Sequence, residues 1–199
     1  MIVKPKTLES WIKFIRFHPD RAERYMDQFW ESQLRSKENL INVLYLNRPI
    51  GNIFIFGGWY GMLSQLILDA HEVRKIYTID IDPDCEWVVN DVIKSDKVIA
   101  VTDSMSVYNY PEKPACVINT VTEHITQSQY DMWWDNVPKG TFYILQGNNF
   151  WDMSDHIRCA SSLDDFTEMN NCQNILGRKL WPCEGPSKEF TRYMVWGYK

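Results

Sequence analysis

The stretch "GNIFIFGGWYGMLSQLI", residues 51–67, decides the fold of this chain. It opens with a short apolar run, "NIFIF", and closes with apolar residues at helical spacing. Between the two parts stand Gly57, Gly58 and Gly61. Glycine is needed where a chain turns sharply and brings its backbone close to a ligand, with the first N–H groups of a helix facing that ligand. The stretch therefore predicts a strand, a ligand-binding turn that contains Trp59, and a helix.

The remainder of the chain continues the alternation of short apolar runs and helical stretches, which predicts an α/β fold with a mostly parallel sheet covered on both faces. The predicted strands are "NIFIF", "KIYTID", "KVIAVT", "ACVINT" and "TFYILQG". The predicted helices between them are Met62–Ala70, Asp84–Lys94 and Gln127–Asn136. Two further β-like runs, "ILGRKLWPC" and "FTRYMVWGYK", predict an antiparallel hairpin at the C-terminal end of the sheet.

Residues 1–50 are predicted to form a helical N-terminal cap on a domain that spans residues 51–199. Their apolar residues recur at intervals of three and four positions. Pro19 opens a second helical run, and Ser36, a good N-cap residue, opens a third helix. The segment "RPIG", residues 48–51, ends the helical pattern.

Composition limits the possible functions. A chain of 199 residues with 45% apolar content is large enough for one full core. The net charge of −5 argues against a protein that mainly holds a nucleic-acid backbone. Residues 1–50 carry nine Lys and Arg against six Asp and Glu, whereas residues 51–199 carry twelve against twenty. A solvated helix face is favoured as the reason for the basic N-terminal part, and contact with an anionic partner is the alternative.

The sequence also predicts the cellular location of the protein. No apolar run approaches the roughly 18 residues that span a bilayer, and "MIVKPKTLES" lacks the apolar core of a signal peptide, so we expect a soluble, cytoplasmic protein. The five cysteines are odd in number and include no C-x-x-C pair, which favours reduced thiols over a zinc knuckle or a disulfide framework.

Acidic residues follow the second and third predicted strands. Asp80 stands 23 positions after Gly57, close to the interval of roughly 20 residues at which a carboxylate meets a ribose in doubly wound folds. A carboxylate suits a diol because it accepts two hydrogen bonds. Asp103 lies in the loop after the third strand. Ligands of open α/β sheets bind at the carboxyl ends of the strands, so these residues predict a nucleotide site, with ordinary turn residues as the alternative.

Four segments and the terminal hairpin together resemble the class I S-adenosylmethionine-dependent methyltransferases. The segments are "FGGWYG", "YTIDIDP", "VTDSM" and "VINTVTEH", and the resemblance covers about residues 52–199. It implies a Rossmann-like three-layer sandwich, a seven-stranded sheet whose last strand is antiparallel, and S-adenosylmethionine as the cofactor.

The resemblance also implies which residues contact the cofactor. The glycine loop would pass the methionine end, Asp80 would hold the ribose hydroxyls, and Asp103 or Ser104 would meet the adenine edge. The implied cofactor-binding residues are Gly57, Gly58, Trp59, Gly61, Asp80, Ile81, Asp103, Ser104 and Asn119.

The glycine loop departs from the usual pattern of the superfamily. Ile55 stands where the superfamily commonly has an acidic residue, and Trp59 stands where it commonly has a glycine. The double glycine is more similar to the loop of spermidine-synthase-type aminopropyltransferases. Methyl transfer to a small molecule is the predicted function, and aminopropyl transfer or a non-catalytic cofactor-binding module are the alternatives.

Candidate catalytic residues follow the fourth strand in "INTVTEHIT". His124 is predicted to act as a general base, because imidazole titrates near neutral pH, and Glu123 is predicted to orient or charge it. The alternative is a helix-start acid beside a hydrogen-bonded histidine. A metal site formed by Glu123, His124 and His156 is a weaker alternative, since their spacing is not characteristic, and we expect no metal.

The acceptor is predicted to be a small molecule rather than a nucleic acid. "NTVT" is unlike the loop of exocyclic-amine DNA methyltransferases, and Cys116 lies within a strand rather than in a loop where it could act as a nucleophile. Asn148 and Asn149 are candidates for binding the acceptor, with loop polarity as the favoured alternative. The helical cap would then act as a lid.

Overall fold

A seven-stranded sheet forms the middle of the molecule. In the computed structural model, which describes residues 3–47, 49, 51–185 and 187–199, the strand order is β3-β2-β1-β4-β5-β7-β6. The strands are β1 Asn52–Phe56, β2 Lys75–Asp80, β3 Val98–Thr102, β4 Pro114–Asn119, β5 Phe142–Asn148, β6 Ile175–Glu184 and β7 Glu189–Tyr198. Strands β1 to β5 pair in parallel, and β7 is antiparallel to both β5 and β6. The predicted sheet and its terminal hairpin are confirmed.

Seven helices accompany the sheet in the described residues: α1 Pro5–Phe17, α2 Ala22–Met26, α3 Glu31–Asn47, α4 Met62–Ala70, α5 Pro83–Val92, α6 Gln127–Asn136 and α7 Leu163–Met169. Short 3-10 turns lie at Pro19–Arg21, Asp27–Phe29, Met105–Val107 and Thr122–His124. None of the helices in the described residues is both long and apolar enough to cross a membrane.

Strand β1 shows why the sheet has helices on both faces. Its side chains alternate between the faces, as they do in any strand. Ile53 and Ile55 belong to the core that includes side chains of α3, α4 and α5. Phe54 and Phe56 belong to the opposite core, which includes side chains of α6 and α7. The predicted three-layer sandwich is therefore confirmed.

The cap packs against the glycine-loop side of the sheet. Buried Trp11, Phe14 and Tyr25 of the cap form one apolar cluster with Tyr60, which follows Trp59 in the loop, and with Cys85 of α5. The position of a domain boundary near residue 50 remains a prediction. Arg48 and Ile50, which belong to the predicted break "RPIG", lie outside the described residues.

Ser36 does not begin a helix, and that prediction was wrong. Helix α3 begins at Glu31, and Ser36 is buried inside it. The Ser36 hydroxyl donates to Gln146 Oε1 at 2.7 Å, and Gln146 Nε2 donates to the Ser36 carbonyl at 3.1 Å. A serine inside a helix can satisfy its hydroxyl through a tertiary partner instead of a cap. These bonds attach α3 to the carboxyl-terminal half of β5.

Other helix boundaries also differ from the prediction. The second helical run consists of the five-residue α2 between two 3-10 turns. Helix α5 begins at Pro83 because the Asp82 side chain accepts the Asp84 N–H and caps it. Helix α7 was not predicted, although Ser162 caps it by accepting the Asp165 N–H.

Candidate active site

The loops that follow the first four strands are hydrogen-bonded to one another along the carboxyl edge of the sheet. Gly57 and Gly58 donate their N–H groups to the Ile79 carbonyl at 3.0 and 3.1 Å. The Asp103 N–H donates to the Asp80 carbonyl at 3.0 Å. Parallel strands end at one edge, so the predicted cofactor residues of β1, β2 and β3 lie side by side, as the sequence predicts.

The glycines of the first loop are required by close packing inside the chain. Gly57 has a φ of +69°, and a Cβ added to it would lie 2.0 Å from Val121 Cγ1. A Cβ on Gly58 would lie 1.8 Å from Thr78 Oγ1. Any larger residue would have to displace these neighbours, which accounts for both glycines without reference to a ligand.

Trp59 lies on the cap side of the loop. It has a φ of +47°, a left-handed conformation that costs a non-glycine residue about 1–3 kcal/mol. Its N–H donates to Asp80 Oδ2 at 2.9 Å, which binds the strained residue to the end of β2. The indole stacks on Tyr60 with ring centroids 5.1 Å apart and packs against the cap cluster. The bulky ring is therefore directed toward the cap helices.

Asp80 is half-buried, and both of its carboxylate oxygens accept N–H groups of the same chain. Oδ2 accepts from Trp59 and Oδ1 accepts from the Asp82 N–H at 3.1 Å. A carboxylate oxygen can accept two hydrogen bonds, so each oxygen keeps one lone pair. The Asp80 carboxylate is thus held in place and can still accept from further donors.

Asp82 connects this loop to the cap. Arg24 Nη2 of the cap donates to Asp82 Oδ2 at 2.6 Å. Partial burial opposes the charged form of Asp82, but the Asp84 N–H and the Arg24 guanidinium outweigh it and hold the pKa of Asp82 below its usual value. A second pair, Arg21 with Asp84, lies beside the first.

The other predicted cofactor residues differ in exposure. Ile81 follows Asp80 directly and is 75% exposed, an apolar side chain at the edge of the site. Asp103 Oδ1 accepts the Ser104 N–H at 2.7 Å. Asn119 is fully buried, and among the described residues its Nδ2 meets the Met105 sulfur, at 3.7 Å. Since thioether sulfur is a weak acceptor, the Asn119 amide retains donor capacity.

Glu123 lies in the turn after β4 and is 3% exposed. Its carboxylate accepts a short hydrogen bond from Asn148 Nδ2. Its backbone carbonyl accepts the N–H groups of Ile157 and Arg158 at 2.9 and 3.0 Å. The turn after β4 is therefore joined to the loop after β5, and the donor to the carboxylate is a neutral amide.

Two histidines lie next to Glu123. His124 Nδ1 is 3.1 Å from Asp155 Oδ2, and His156 Nδ1 is 2.6 Å from the Phe150 carbonyl oxygen. The two rings are perpendicular, with centroids 4.6 Å apart. A carbonyl or carboxylate oxygen accepts, so Nδ1–H donates in both rings and Nε2 keeps its lone pair. Asp155 therefore orients His124, and the role of Glu123 in orienting or charging His124 remains a prediction.

Comparisons with known proteins give matches in structure only, since no family model and no curated protein matches the chain. The N-methyltransferase NodS from Bradyrhizobium japonicum WM9 has a TM-score of 0.66 and 9% identity, over 85% of this chain and 99% of that chain. The plantazolicin methyltransferase BpumL, solved with a pentazolic desmethylPZN analog and S-adenosylhomocysteine, has a TM-score of 0.62 and 9% identity, over 99% and 100%. An S-adenosylmethionine-dependent methyltransferase from Clostridium acetobutylicum ATCC 824 has a TM-score of 0.60 and 12% identity, over 88% and 97%. The chain has the class I S-adenosylmethionine-dependent methyltransferase fold.

Within this methyltransferase fold, the predicted residues form two groups along one edge. The loops after β1, β2 and β3 and the end of β4 hold the proposed cofactor contacts, and the loops after β4 and β5 hold Glu123, His124 and His156. The predicted acceptor contacts Asn148 and Asn149 are engaged internally. Asn148 bonds Glu123, and Asn149 Oδ1 accepts the Thr191 N–H at 2.6 Å.

Two residues of this part of the methyltransferase fold were missed. Asp155 precedes His156 in "SDHI", and no local pattern connects it with His124. Arg158 is buried, donates to Asn170 Oδ1 from both terminal nitrogens at 3.0 Å, and lies 4.3 Å from the Tyr130 ring centroid. It joins the Glu123 loop to the end of α7, and burial lowers the pKa of its guanidinium.

Proposed function

We propose that the chain transfers the methyl group of S-adenosylmethionine to a small-molecule acceptor. The observation that carries the proposal is the half-buried Asp80 carboxylate beside the glycine loop, in a fold whose solved neighbours include structures with S-adenosylhomocysteine bound. Its position at the end of β2 is where a ribose diol is held in doubly wound folds.

The residues at this edge fit the cofactor. The free lone pairs of Asp80 can accept the two ribose hydroxyls. Exposed Ile81 offers an apolar surface to the adenine ring, and the free oxygen of Asp103 or the Ser104 side chain can meet the adenine edge. The Asn119 amide, which contacts the weakly accepting Met105 sulfur, can donate to a polar group of the cofactor.

The departures in the glycine loop are compatible with a working site. Ile55 is fully buried in the core beneath α3 and α4, where a carboxylate would be surrounded by apolar side chains. The Trp59 indole packs toward the cap. The double glycine, which suggested an aminopropyltransferase, is accounted for by the contact between Gly58 and Thr78. These observations favour methyl transfer over the alternatives.

The chain's part in the reaction is to align the acceptor and to take its proton. When bound, the cofactor supplies a methyl group already activated by the sulfonium. His124 Nε2 has a free lone pair and is held by Asp155, so it can accept the proton of an acceptor hydroxyl or amine. The acceptor's lone pair forms the new bond to carbon while the carbon–sulfur electron pair stays with sulfur.

Calorimetry with S-adenosylhomocysteine tests the cofactor assignment. We expect Asp80→Ala to weaken binding by about 1–3 kcal/mol, because it removes hydrogen bonds to a charged acceptor. Asp91→Ala, on the exposed side of α5, is the control and should leave affinity unchanged. Equal affinity of the Asp80 variant and the control would remove the ribose assignment.

Product analysis tests the reaction itself. With S-adenosylmethionine and a library of small hydroxyl and amine acceptors, methyl transfer releases S-adenosylhomocysteine. Methylthioadenosine from the decarboxylated cofactor would indicate aminopropyl transfer instead. Cofactor binding with neither product, across acceptors that related methyltransferases use, would favour a binding module.

A further inference from the structure

We propose that Glu123, His124 and His156 form a binding site for one divalent first-row transition-metal ion, with Zn²⁺ as the first candidate. Each residue offers one ligand atom, and the three atoms lie within 4.8 Å of one another. Glu123 and His124 come from the turn after β4, whereas His156 comes from the loop after β5. The expectation of no metal rested on spacing along the sequence, which does not report distances between loops.

The hydrogen bonds of both histidines are those of metal ligands. A metal-bound histidine nearly always donates its other ring N–H to a carboxylate or a backbone carbonyl, which sets the tautomer and the ring orientation. His124 makes this bond to Asp155, and His156 makes it to the Phe150 carbonyl. The bonds leave the Nε2 lone pair of each ring for a cation.

Glu123 supplies a buried negative charge to the same site. It is 3% exposed, its carboxylate accepts from the neutral Asn148 amide, and the buried Arg158 guanidinium is a neighbouring positive charge. Buried charges in proteins are paired or coordinate metals. A dication between Glu123 and the two imidazoles would supply a positive charge, and the Asn148 bond would orient the ligating carboxylate.

The ligand set selects the kind of metal. Mg²⁺ and Ca²⁺ are bound by oxygen atoms, whereas imidazole suits Zn²⁺ and its first-row neighbours. Two histidines and one glutamate are also a set found in catalytic zinc sites, which keep an open fourth position. With metal–ligand distances near 2.1 Å, tetrahedral ligand atoms lie about 3.4 Å apart, so ligand atoms that lie within 4.8 Å of one another must converge by up to about 1.4 Å. His124, whose side chain is 34% exposed, has room to move.

The role of the metal rests on the proposed function. Its open position would bind the oxygen or nitrogen of the acceptor and lower the pKa of that group. The acceptor proton then leaves to water, and the acceptor's lone pair forms the bond to the methyl carbon as the carbon–sulfur bond breaks toward sulfur. His124 acts here as a ligand instead of the base.

Metal binding is measured on the full chain without cofactor or acceptor. Chelator-treated protein is titrated with Zn²⁺ by calorimetry and with Co²⁺ by visible absorption, whose intensity reports a four- or five-coordinate site. We expect one equivalent of metal. His124→Gln and His156→Gln should each lower the affinity by about 10–100-fold or more, as loss of even an outer partner does. His18→Gln, in the cap, is the matched control.

Two results overturn the proposal. One is the absence of stoichiometric binding by the wild-type chain, and the other is unchanged affinity in both the His124 and the His156 variants. The two histidines lie in different loops, and circular dichroism checks each variant, so misfolding of one leaves the other informative. Glu123→Gln, which keeps the shape of the side chain, provides a third test and should also weaken binding.

Asp155 is a positioning residue in this proposal. Its variant distinguishes the loss of His124 orientation from a general effect of changing the loop after β5. Asp155→Asn should lower Zn²⁺ affinity by about tenfold, because it weakens the bond that holds His124. Asp152→Asn is the control from the same loop, since Asp152 pairs with Lys188 at 2.7 Å instead. Equal affinities of the two variants would remove Asp155 from the site.

Cofactor binding by the same proteins separates this proposal from the methyltransferase proposal. Zn²⁺ binding without S-adenosylhomocysteine binding would support the metal site and contradict the methyl-transfer function. S-Adenosylhomocysteine binding without Zn²⁺ binding would overturn the metal site and leave His124 as the proposed base.

Discussion

The two halves of the sheet's carboxyl edge hold their acidic residues in different ways. In the half formed by the loops after β1 to β3, Asp80 accepts two backbone N–H groups and Asp82 pairs with Arg24 at the surface. In the half formed by the loops after β4 and β5, Glu123 is buried and its side chain accepts from the neutral Asn148 amide. The first half is held in shape by the chain itself, whereas the second presents a buried carboxylate beside two imidazole lone pairs, with the Arg158 guanidinium as a neighbouring positive charge. The comparison explains why we assign a neutral diol to one half and a cation to the other.

The largest expected effect is on stability, and it depends on how tightly the first half is packed. Gly57→Ala places a Cβ 2.0 Å from Val121 Cγ1, whereas Gly140→Ala, at a similar φ of +79°, places it where nothing lies within 4 Å. In both variants, the left-handed backbone lowers the free energy of unfolding by about 1–2 kcal/mol. In Gly57→Ala, overpacking should lower it by about 1–3 kcal/mol more. Urea denaturation measures the difference.

A second substitution checks the cause of that loss. Val121→Ala in the Gly57→Ala background should recover part of the extra destabilisation, because it removes the clashing methyl groups. Equal losses of unfolding free energy in Gly57→Ala and Gly140→Ala would mean that the loops of the first half are not closely packed.

The second-largest expected effect comes from the buried carboxylate of Glu123 in the second half. Without metal, Glu123→Gln should leave the free energy of unfolding nearly unchanged, since relief of the buried charge offsets the lost attraction to Arg158. With Zn²⁺ at a hundred times its dissociation constant, the wild-type chain should gain about 2.7 kcal/mol and the variant much less. Thermal and urea unfolding with and without Zn²⁺ measure both. Destabilisation of the metal-free variant by several kcal/mol would mean that Arg158 already compensates Glu123.

The smallest effect concerns Lys37 of the cap, which lies near Arg192 of β7. Burial and the neighbouring Arg192 charge lower the pKa of Lys37, on α3, from 10.5 to about 7. The folded pKa lies below the unfolded value, so the charged form destabilises the fold below about pH 7 and stability rises with pH between about 7 and 10.5. Lys37→Met should flatten this rise and raise the free energy of unfolding at pH 6 by about 1–2 kcal/mol. Urea denaturation at several pH values measures it, with exposed Lys13→Met as the control, and parallel pH profiles for the two variants would contradict it.

Most of the fold was predictable because its signals are local. Each apolar run from "NIFIF" to "TFYILQG" forms a strand within a residue or two of its predicted limits, since a strand buried on both faces needs continuous apolar residues. Asp80 and Asp103 could be placed at one edge because parallel strands end together. Ser36 was misassigned because its hydrogen-bond partner, Gln146, lies 110 positions away.

The candidate site was predictable only in part. Glu123 and His124 stood out beside each other in sequence, but the partner of His124 is Asp155, in another loop. The two glycines suggested a ligand, yet Gly57 and Gly58 are required by Val121 and Thr78 of the same chain. Local sequence shows which residue types are present, and packing between loops determines what each one contacts.

The sequence by itself determined the succession of strands and of most helices, the glycine turn and the acidic residue after β2, because periodicity and backbone freedom act over a few neighbouring residues. Only the tertiary structure decided where the Trp59 indole lies and which groups meet Glu123. The indole is directed to the cap cluster, and His156 is brought beside Glu123 by the pairing of β4 with β5 and the bonds between the loops that follow them. Both outcomes depend on contacts between segments far apart in the chain.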